Sequence, residues 1–449
     1  MIIMARILTP DDYGLVAMLT IFIAISQSLV DSGFSNALIR KQDRDETDNS
    51  TVFYFNIGVG IVLYLVLFFC APLIAKFYKE PILVPITRVI SLSVFINSLV
   101  VVQRALLTSA IDFKTQAKAS MSAAIISGVV GITMAYNGFG VWSIVWYQLT
   151  NLSVNVILLW ILSKWRPRLL YSWKSFRELF GFGSKLAASG ILDTLYNNIY
   201  LIVIGKVFSA SDLGYYTRAS QFAQFPSSNL TGIIQRVTYP VLCSIQDDTT
   251  RLRDVYRRFL RLSAFIVFPL MIGLAAVAKP LILILLREQW SFSIILLQIV
   301  CFSMMWFPIH SINLNLLQVK GRSDLFLRLE IIKKILGVAI LCITVPMGLI
   351  AMCVGSVVSS LIALIINTHY TGKLIQVGFL TQMRDLLPTL AYSLTTGLLV
   401  YAMVSLLPHL WLQLSVGIIS GIIFFLLITK ITNSRDLREA VSFLREAKK

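Results

Sequence analysis

Eight side chains stand where their type could do chemistry: Arg40, Arg104, Asp193, Asn197, Arg218, Arg236, Lys333 and Lys334 lie within or at the ends of long apolar runs. An ionisable group in such a run is costly and usually faces a cavity, a partner or a pathway. Six of the eight are cations, a balance that suits an anionic ligand. Each has a plainer reading beside the functional one. Arg104 can snorkel from the end of its run to the membrane surface. Asp193 can serve a buried interhelical hydrogen bond as well as line a cleft with Asn197 and Asn198. Arg218 follows Tyr215 and Tyr216 and can sit among headgroups. Lys333 is three residues from Glu330, the spacing of a helical ion pair. Arg40 and Arg236 compete between binding and ordinary positive-inside anchoring.

Catalysis finds no such support. His310, His369 and His409 are scattered and give no metal-ligand spacing, and Cys70, Cys243, Cys301, Cys342 and Cys353 form no CxxC pair. Asp43-Arg44-Asp45 has the DxD spacing of many glycosyltransferases, but it occupies a short loop with no α/β domain around it. A Walker A sequence is absent. The expectation is no enzyme, no cofactor and no metal.

The elements that must position these residues are membrane helices. The 449 residues are 57% hydrophobic and 14% charged, and mean hydropathy is +0.79. Soluble domains carry ~25% charged residues. Apolar runs near the ~20 residues that cross a bilayer recur from end to end, and backbone in hydrocarbon must pair internally, which makes them helices. The pattern predicts an all-α integral membrane protein of about thirteen spans: Tyr13–Val30, Val52–Ala75, Leu83–Thr108, Ala117–Tyr136, Gly140–Leu162, Phe182–Gly205, Leu213–Tyr239, Phe259–Leu286, Phe292–Val319, Leu325–Pro346, Gly348–Tyr370, Leu386–Leu406 and Leu410–Ile431. Pro226, Pro269, Pro308 and the run Asp31-Ser32-Gly33 are candidate breaks. Gly417 and Gly421 form a GxxxG that would pack the last two helices together.

The net charge of +17 is carried by clusters between apolar runs, which argues for cytoplasmic loops and against nucleic acid. With the Arg40–Asp48 loop inside, about 30 of the 39 Lys and Arg fall on the cytoplasmic side, including the tail Lys430–Lys449. Met1–Arg6 shows no secretion signal.

Arg6-Ile-Leu-Thr-Pro-Asp-Asp-Tyr-Gly14 recurs as Lys206-Val-Phe-Ser-Ala-Ser-Asp-Leu-Gly214. A whole span precedes the second copy and only five residues precede the first. The expected plan is two six-helix lobes in parallel repeat, the first lacking its first helix, plus a C-terminal helix pair. The boundaries are 1–164 for the first lobe, 165–181 for a cytoplasmic interfacial linker, 182–370 for the second lobe, and 371–449 for the extra pair and tail. In the linker Trp173, Phe176, Leu179 and Phe180 share one helical face, as in a helix lying on the membrane surface.

The stretch Ala5–Gly14 followed by Asp31-Ser-Gly-Phe-Ser-Asn-Ala-Leu-Ile-Arg40 resembles the polysaccharide-transporter branch of the MOP flippase superfamily, the Wzx-type exporters. Gly138-Phe-Gly-Val-Trp142, Ile204-Gly-Lys206, Leu213-Gly-Tyr-Tyr216, Arg236-Val-Thr-Tyr-Pro240 and Lys320-Gly-Arg-Ser-Asp324 extend the resemblance over nearly the whole chain. It implies a MATE-like fold in the bacterial inner membrane. It also implies a lipid-linked oligosaccharide, carried on undecaprenyl diphosphate, moved from the cytoplasmic to the outer leaflet for O-antigen or related surface polysaccharide. Alternating access on an ion gradient would drive it, beside membrane lipids and the polysaccharide polymerase and export machinery. The rival class is a MATE-type drug or cation antiporter, which would centre on membrane acids; here the acids are few.

Overall fold

The computed structural model describes residues 2–31, 33–41 and 43–446; Ser32 of the expected break and Lys448 and Lys449 of the basic tail lie outside the described residues. Helices joined by turns and short linkers make up these residues, with no strand among them. Contacts divide the chain into two compact units, Met1–Gly214 and Tyr215–Lys449.

Unit 1 holds α1 (Ile2–Ile7), α2 (Pro10–Asp31), α3 (Phe34–Arg40), α4 (Glu46–Tyr78), α5 (Leu83–Ile90), α6 (Leu92–Ser98), α7 (Val101–Ser109), α8 (Phe113–Tyr136), α9 (Val141–Leu162), α10 (Trp173–Asn197) and α11 (Ile199–Val207). The start of α12 (Ala210–Ser244) belongs to it too, and the rest of α12 runs into unit 2. Unit 2 continues with α13 (Thr249–Ala276), α14 (Ala278–Leu286), α15 (Phe292–Met304), α16 (Phe307–Val319), α17 (Ser323–Thr344), α18 (Leu349–Ile375), α19 (Phe379–Ser405), α20 (Leu410–Ile431) and α21 (Arg435–Glu446).

Among the described residues, nine helices are long and apolar enough to cross a membrane, or ten if the bent pair Leu83–Ser98 and Val101–Ser109 is one span. The remaining expected spans, in α10, α12 and α17, are helical but too polar to qualify by composition. Side chains such as Phe69, Leu73, Met121 and Val129 stay largely exposed on their helices, as lipid-facing residues do.

The repeat seen in the sequence is built as a repeated cap. Asp12 Oδ2 accepts from Thr9 N (2.9 Å) and Thr9 Oγ1 (2.8 Å); Asp212 Oδ2 accepts from Ser209 N (3.2 Å) and Ser209 Oγ (2.7 Å). Each motif satisfies backbone donors orphaned at a helix start. The two copies also meet, within unit 1. A Cβ on Gly14 would lie 1.7 Å from the Ala210 carbonyl oxygen, and one on Gly214 1.9 Å from that of Pro10. Only glycine permits that approach.

Several breaks depart from the sequence expectation. The span expected over Leu83–Thr108 is three helices, α5, α6 and α7, bent by 42° before α7. Pro226 and Pro269 sit inside continuous helices, whereas Pro308 opens α16 after the chain breaks at Met305–Trp306. Ser227 Oγ donates to the Met304 carbonyl (2.7 Å), pairing a group that the break would orphan. The linker segment is no separate helix: α10 runs without interruption from Trp173 to Asn197. Its aromatic face finds protein partners, with Phe176 4.9 Å from Phe55 and Leu179 buried beside Phe34 and Phe53. The GxxxG glycines pack as expected, with Gly417 against Val277 and Val404 and Gly421 against Val400.

Candidate functional site

Unit 1 gathers a guanidinium and a set of amides. Arg104, on α7, donates from Nη1 to Asn97 Oδ1 (3.2 Å) and from Nη2 to Asn155 Oδ1 on α9 (3.1 Å). Asn155 Nδ2 in turn donates to Ser120 Oγ on α8 (3.2 Å), and Asn151 Nδ2 to Ser127 Oγ (3.1 Å). Arg104, Ser120, Asn151 and Asn155 line a cavity of about 190 Å³ with Gln116, Leu152 and Leu159. The helices meet there because α7 ends in a tight turn at Ile111, whose φ of 57° lets the chain double back into α8. Asp112 then caps α8 by accepting from Thr115 N (3.0 Å).

At one end of the same unit, Arg40 closes α3 and is exposed, lining a cavity of about 320 Å³ with Ala37, Lys41, Glu178 and Leu179. Lys41 pairs with Asp48 at 2.9 Å and with Glu178 at 3.3 Å. Its bond to the Asp48 carboxylate holds the ammonium above its ordinary pKa, against the opposing effect of burial. The preceding linker is stitched to the start of α4: Trp165 Nε1 donates to Glu46 (2.9 Å), Arg168 N to Ser50 Oγ (3.1 Å) and Ser172 N to Thr51 Oγ1 (3.0 Å).

Asp193 and Asn197 are exposed side chains on the last turns of α10. They stand beside a discontinuity, since α10 stops at Asn197 and α11 restarts at Ile199. Asn198 Nδ2 donates back to the Thr194 carbonyl (2.8 Å).

In unit 2, Arg218 is buried within the protein. Its Nη1 donates to Gln221 Oε1 (2.7 Å), and its guanidinium lies 6.0 Å from the centroid of the Trp290 ring. Tyr215 sets an edge against Trp290 and Phe292. Arg236 is exposed on α12, while its neighbour Gln235 bonds Ser311 on α16. Lys333 pairs with Glu330 at 2.5 Å, as the spacing allowed, and Lys334 is half-buried.

Sequence reasoning passed over what surrounds Lys333. His310 on α16 places Nε2 3.0 Å from Ser360 Oγ and Nδ1 3.3 Å from Asn367 Nδ2, both on α18. Lys333 on α17 is within electrostatic reach of the ring. The signal was the three-helix unit itself. In α16–α17 as in α7–α8 the turn has a positive φ, 68° at Gly321, and the same bonding: Arg322 N to Leu317 O (2.8 Å) matches Asp112 N to Leu107 O (2.9 Å). The structure thus brings Arg104 together with amides, and Lys333 with Glu330 and His310. Among the described residues no group of three or more His, Cys, Asp or Glu could hold a metal ion.

A family profile described as polysaccharide biosynthesis protein matches residues 3–295. The lipopolysaccharide biosynthesis protein WzxC of Escherichia coli is 27% identical over 370 residues, which span 82% of this chain and 75% of that protein. The teichuronic acid biosynthesis protein TuaB of Bacillus subtilis is 27% identical, over 67% of this chain and 62% of its own length. Among solved structures, the lipid II flippase MurJ in an inward closed conformation superposes with a TM-score of 0.78 at 15% identity, covering 97% of this chain and 95% of that one. An inward-facing multidrug resistance MATE transporter of the MOP superfamily follows at 0.65 and 15% identity, covering 84% of this chain and 93% of its own.

Proposed function

The chain belongs to the polysaccharide biosynthesis protein family, with the fold of the MOP superfamily, and from that premise we propose that it flips undecaprenyl-diphosphate-linked oligosaccharide from the cytoplasmic to the outer leaflet of the bacterial inner membrane. The membrane helices and the named relatives support a multi-pass polysaccharide transporter. The finer reading rests on one observation above the rest. Arg104, Arg218 and Lys333 are cations wholly or partly buried within their units, where a pyrophosphate headgroup gives them a purpose.

Each candidate has a role in this reading. Arg40 and Arg236, both exposed, each engage diphosphate on the cytoplasmic side, a reading that the charge asymmetry of the loops supports. Arg104 and its amides, Asp193 and Asn197 at the α10–α11 discontinuity, Arg218, and the pair Lys333 and Lys334 serve headgroup and sugar within the membrane. The two lobes alternate in access, since parallel repeats with broken helices are the working parts of such transporters. Polymerase and export proteins then take the delivered repeat unit.

The test is complementation of a flippase-null strain. Restored surface polysaccharide, and relief of the accumulated lipid-linked intermediate, is the expected result. Drug resistance without polysaccharide would select the MATE-type antiporter instead.

A further inference from the structure

We propose that His310, framed by Ser360, Asn367, Lys333 and Glu330, is a proton-binding site inside unit 2. This deepens the transport reading by naming the ion, and it rests on that reading only for the use to which the proton is put.

The geometry fixes the tautomer of the ring. Asn367 Nδ2 can only donate, so Nδ1 at 3.3 Å accepts. Nε2 therefore carries the hydrogen and donates to Ser360 Oγ at 3.0 Å, and Ser360 Oγ donates onward to the Ser303 carbonyl at 3.3 Å. The neutral ring is fully bonded, with both nitrogens occupied.

The other half of Asn367 is incomplete. Its Oδ1 is buried and makes no hydrogen bond, in a residue 1% exposed. A proton on Nδ1 turns that nitrogen into a donor, and half a turn of the carboxamide brings Oδ1 to meet it. The same side chain thus serves both protonation states of the ring, and the bond to the protonated form is the charge-assisted, stronger one.

Burial and, after it, the charges around the ring set when it fills. From α17 come Lys333 and Glu330, joined at 2.5 Å; from α18, Ser360 and Asn367; from α15, the Ser303 carbonyl. From α13, Tyr256 is committed to Asn313, one turn along from His310. The Lys333 ammonium opposes a second positive charge on the ring, and Glu330 offsets that ammonium. An anion such as a phosphate that engages Lys333 removes the opposition. Proton and anion are then linked, each strengthening the binding of the other.

The proton alone is the probe. The full chain, labelled with ¹⁵N in its histidine rings and held in lipid nanodiscs, is titrated by NMR from about pH 8 to about pH 4. His369→Asn and His409→Asn, both at exposed positions, leave a single ring to read. Lys333→Gln is expected to raise the proton affinity of the ring about tenfold, one unit in midpoint. Glu330→Gln and Asn367→Leu are expected to lower it. A ring that stays neutral throughout in both wild type and Lys333→Gln overturns the proposal, as does one midpoint shared by every variant. No glycolipid enters the measurement. A ring that titrates in a chain unable to restore export sinks the transport reading alone; a chain that restores export with an inert ring sinks this one.

Discussion

The three-helix assemblies α7–α8–α9 and α16–α17–α18 share a turn, a bonding pattern and a polar cluster, yet the clusters differ in kind. In unit 1 the charge is a guanidinium, which stays protonated at any pH the cell meets, and it is clasped by amide oxygens of Asn97 and Asn155. In unit 2 a titratable ring faces an ammonium already shared with Glu330. On the proposed reading one scaffold carries a permanent charge and the other a conditional one. The difference then teaches that a duplicated scaffold keeps its geometry while its two polar clusters take separate tasks.

The comparison breaks most visibly at Arg104. Arg104→Ala leaves the Asn97 and Asn155 oxygens unpartnered in hydrocarbon, and is expected to cut export in the null strain to ~10% or less and thermal stability in detergent by ~2 kcal/mol. Arg104→Lys keeps charge but loses the two-pronged grip, and should recover stability only in part. If alanine exports normally, the permanent charge has no task. Next comes His310→Gln, which keeps an amide partner for Ser360 without a titrating ring. Export should persist at a reduced level and lose its dependence on an imposed pH gradient. An unchanged gradient response would make the two clusters alike.

A smaller effect is expected from Ser360→Ala, which removes the acceptor of the Nε2 hydrogen and should cost ~1 kcal/mol in thermal unfolding. The smallest belongs to Lys41→Gln, which removes the ion pairs to Asp48 and Glu178, at ~0.5 kcal/mol. Because partners raise the Lys41 pKa in the folded chain, its contribution is present in full below the unfolded lysine pKa and vanishes as pH climbs through the folded value. At neutral pH the loss should be measurable, and well above the lysine range wild type and variant should coincide.

Much of this was legible in the sequence, for identifiable reasons. Apolar runs announce helices because hydrocarbon leaves backbone no other partner, and repeats survive as capping motifs, so Thr9–Asp12 and Ser209–Asp212 could be matched before any coordinates. The helix break near Ser98–Val101 was not legible, for no proline or glycine marks it. Nor was the continuity of α10, since a helix face with Trp173 and Phe180 reads the same whether lipid or Phe55 covers it. Charges such as Arg104 and Lys333 stand out against apolar neighbours. Their partners do not: Asn155 lies 51 residues from Arg104, and Ser360 lies 50 from His310, on helices that only folding brings together. The histidine was weighed as a metal ligand and set aside, while its use as a lone base needed the tertiary neighbours.

The glycine crossing near the start of α2 and α12 has a consequence for how such chains can vary. Where a carbonyl oxygen lies far inside van der Waals contact of the spot a methyl would take, drift at either position is blocked by a residue about two hundred places away. A saturation library scored for surface sugar should show narrow gaps at Gly14 and Gly214, each filled by glycine alone. Recombining halves from distant homologues would succeed only when both gaps arrive together.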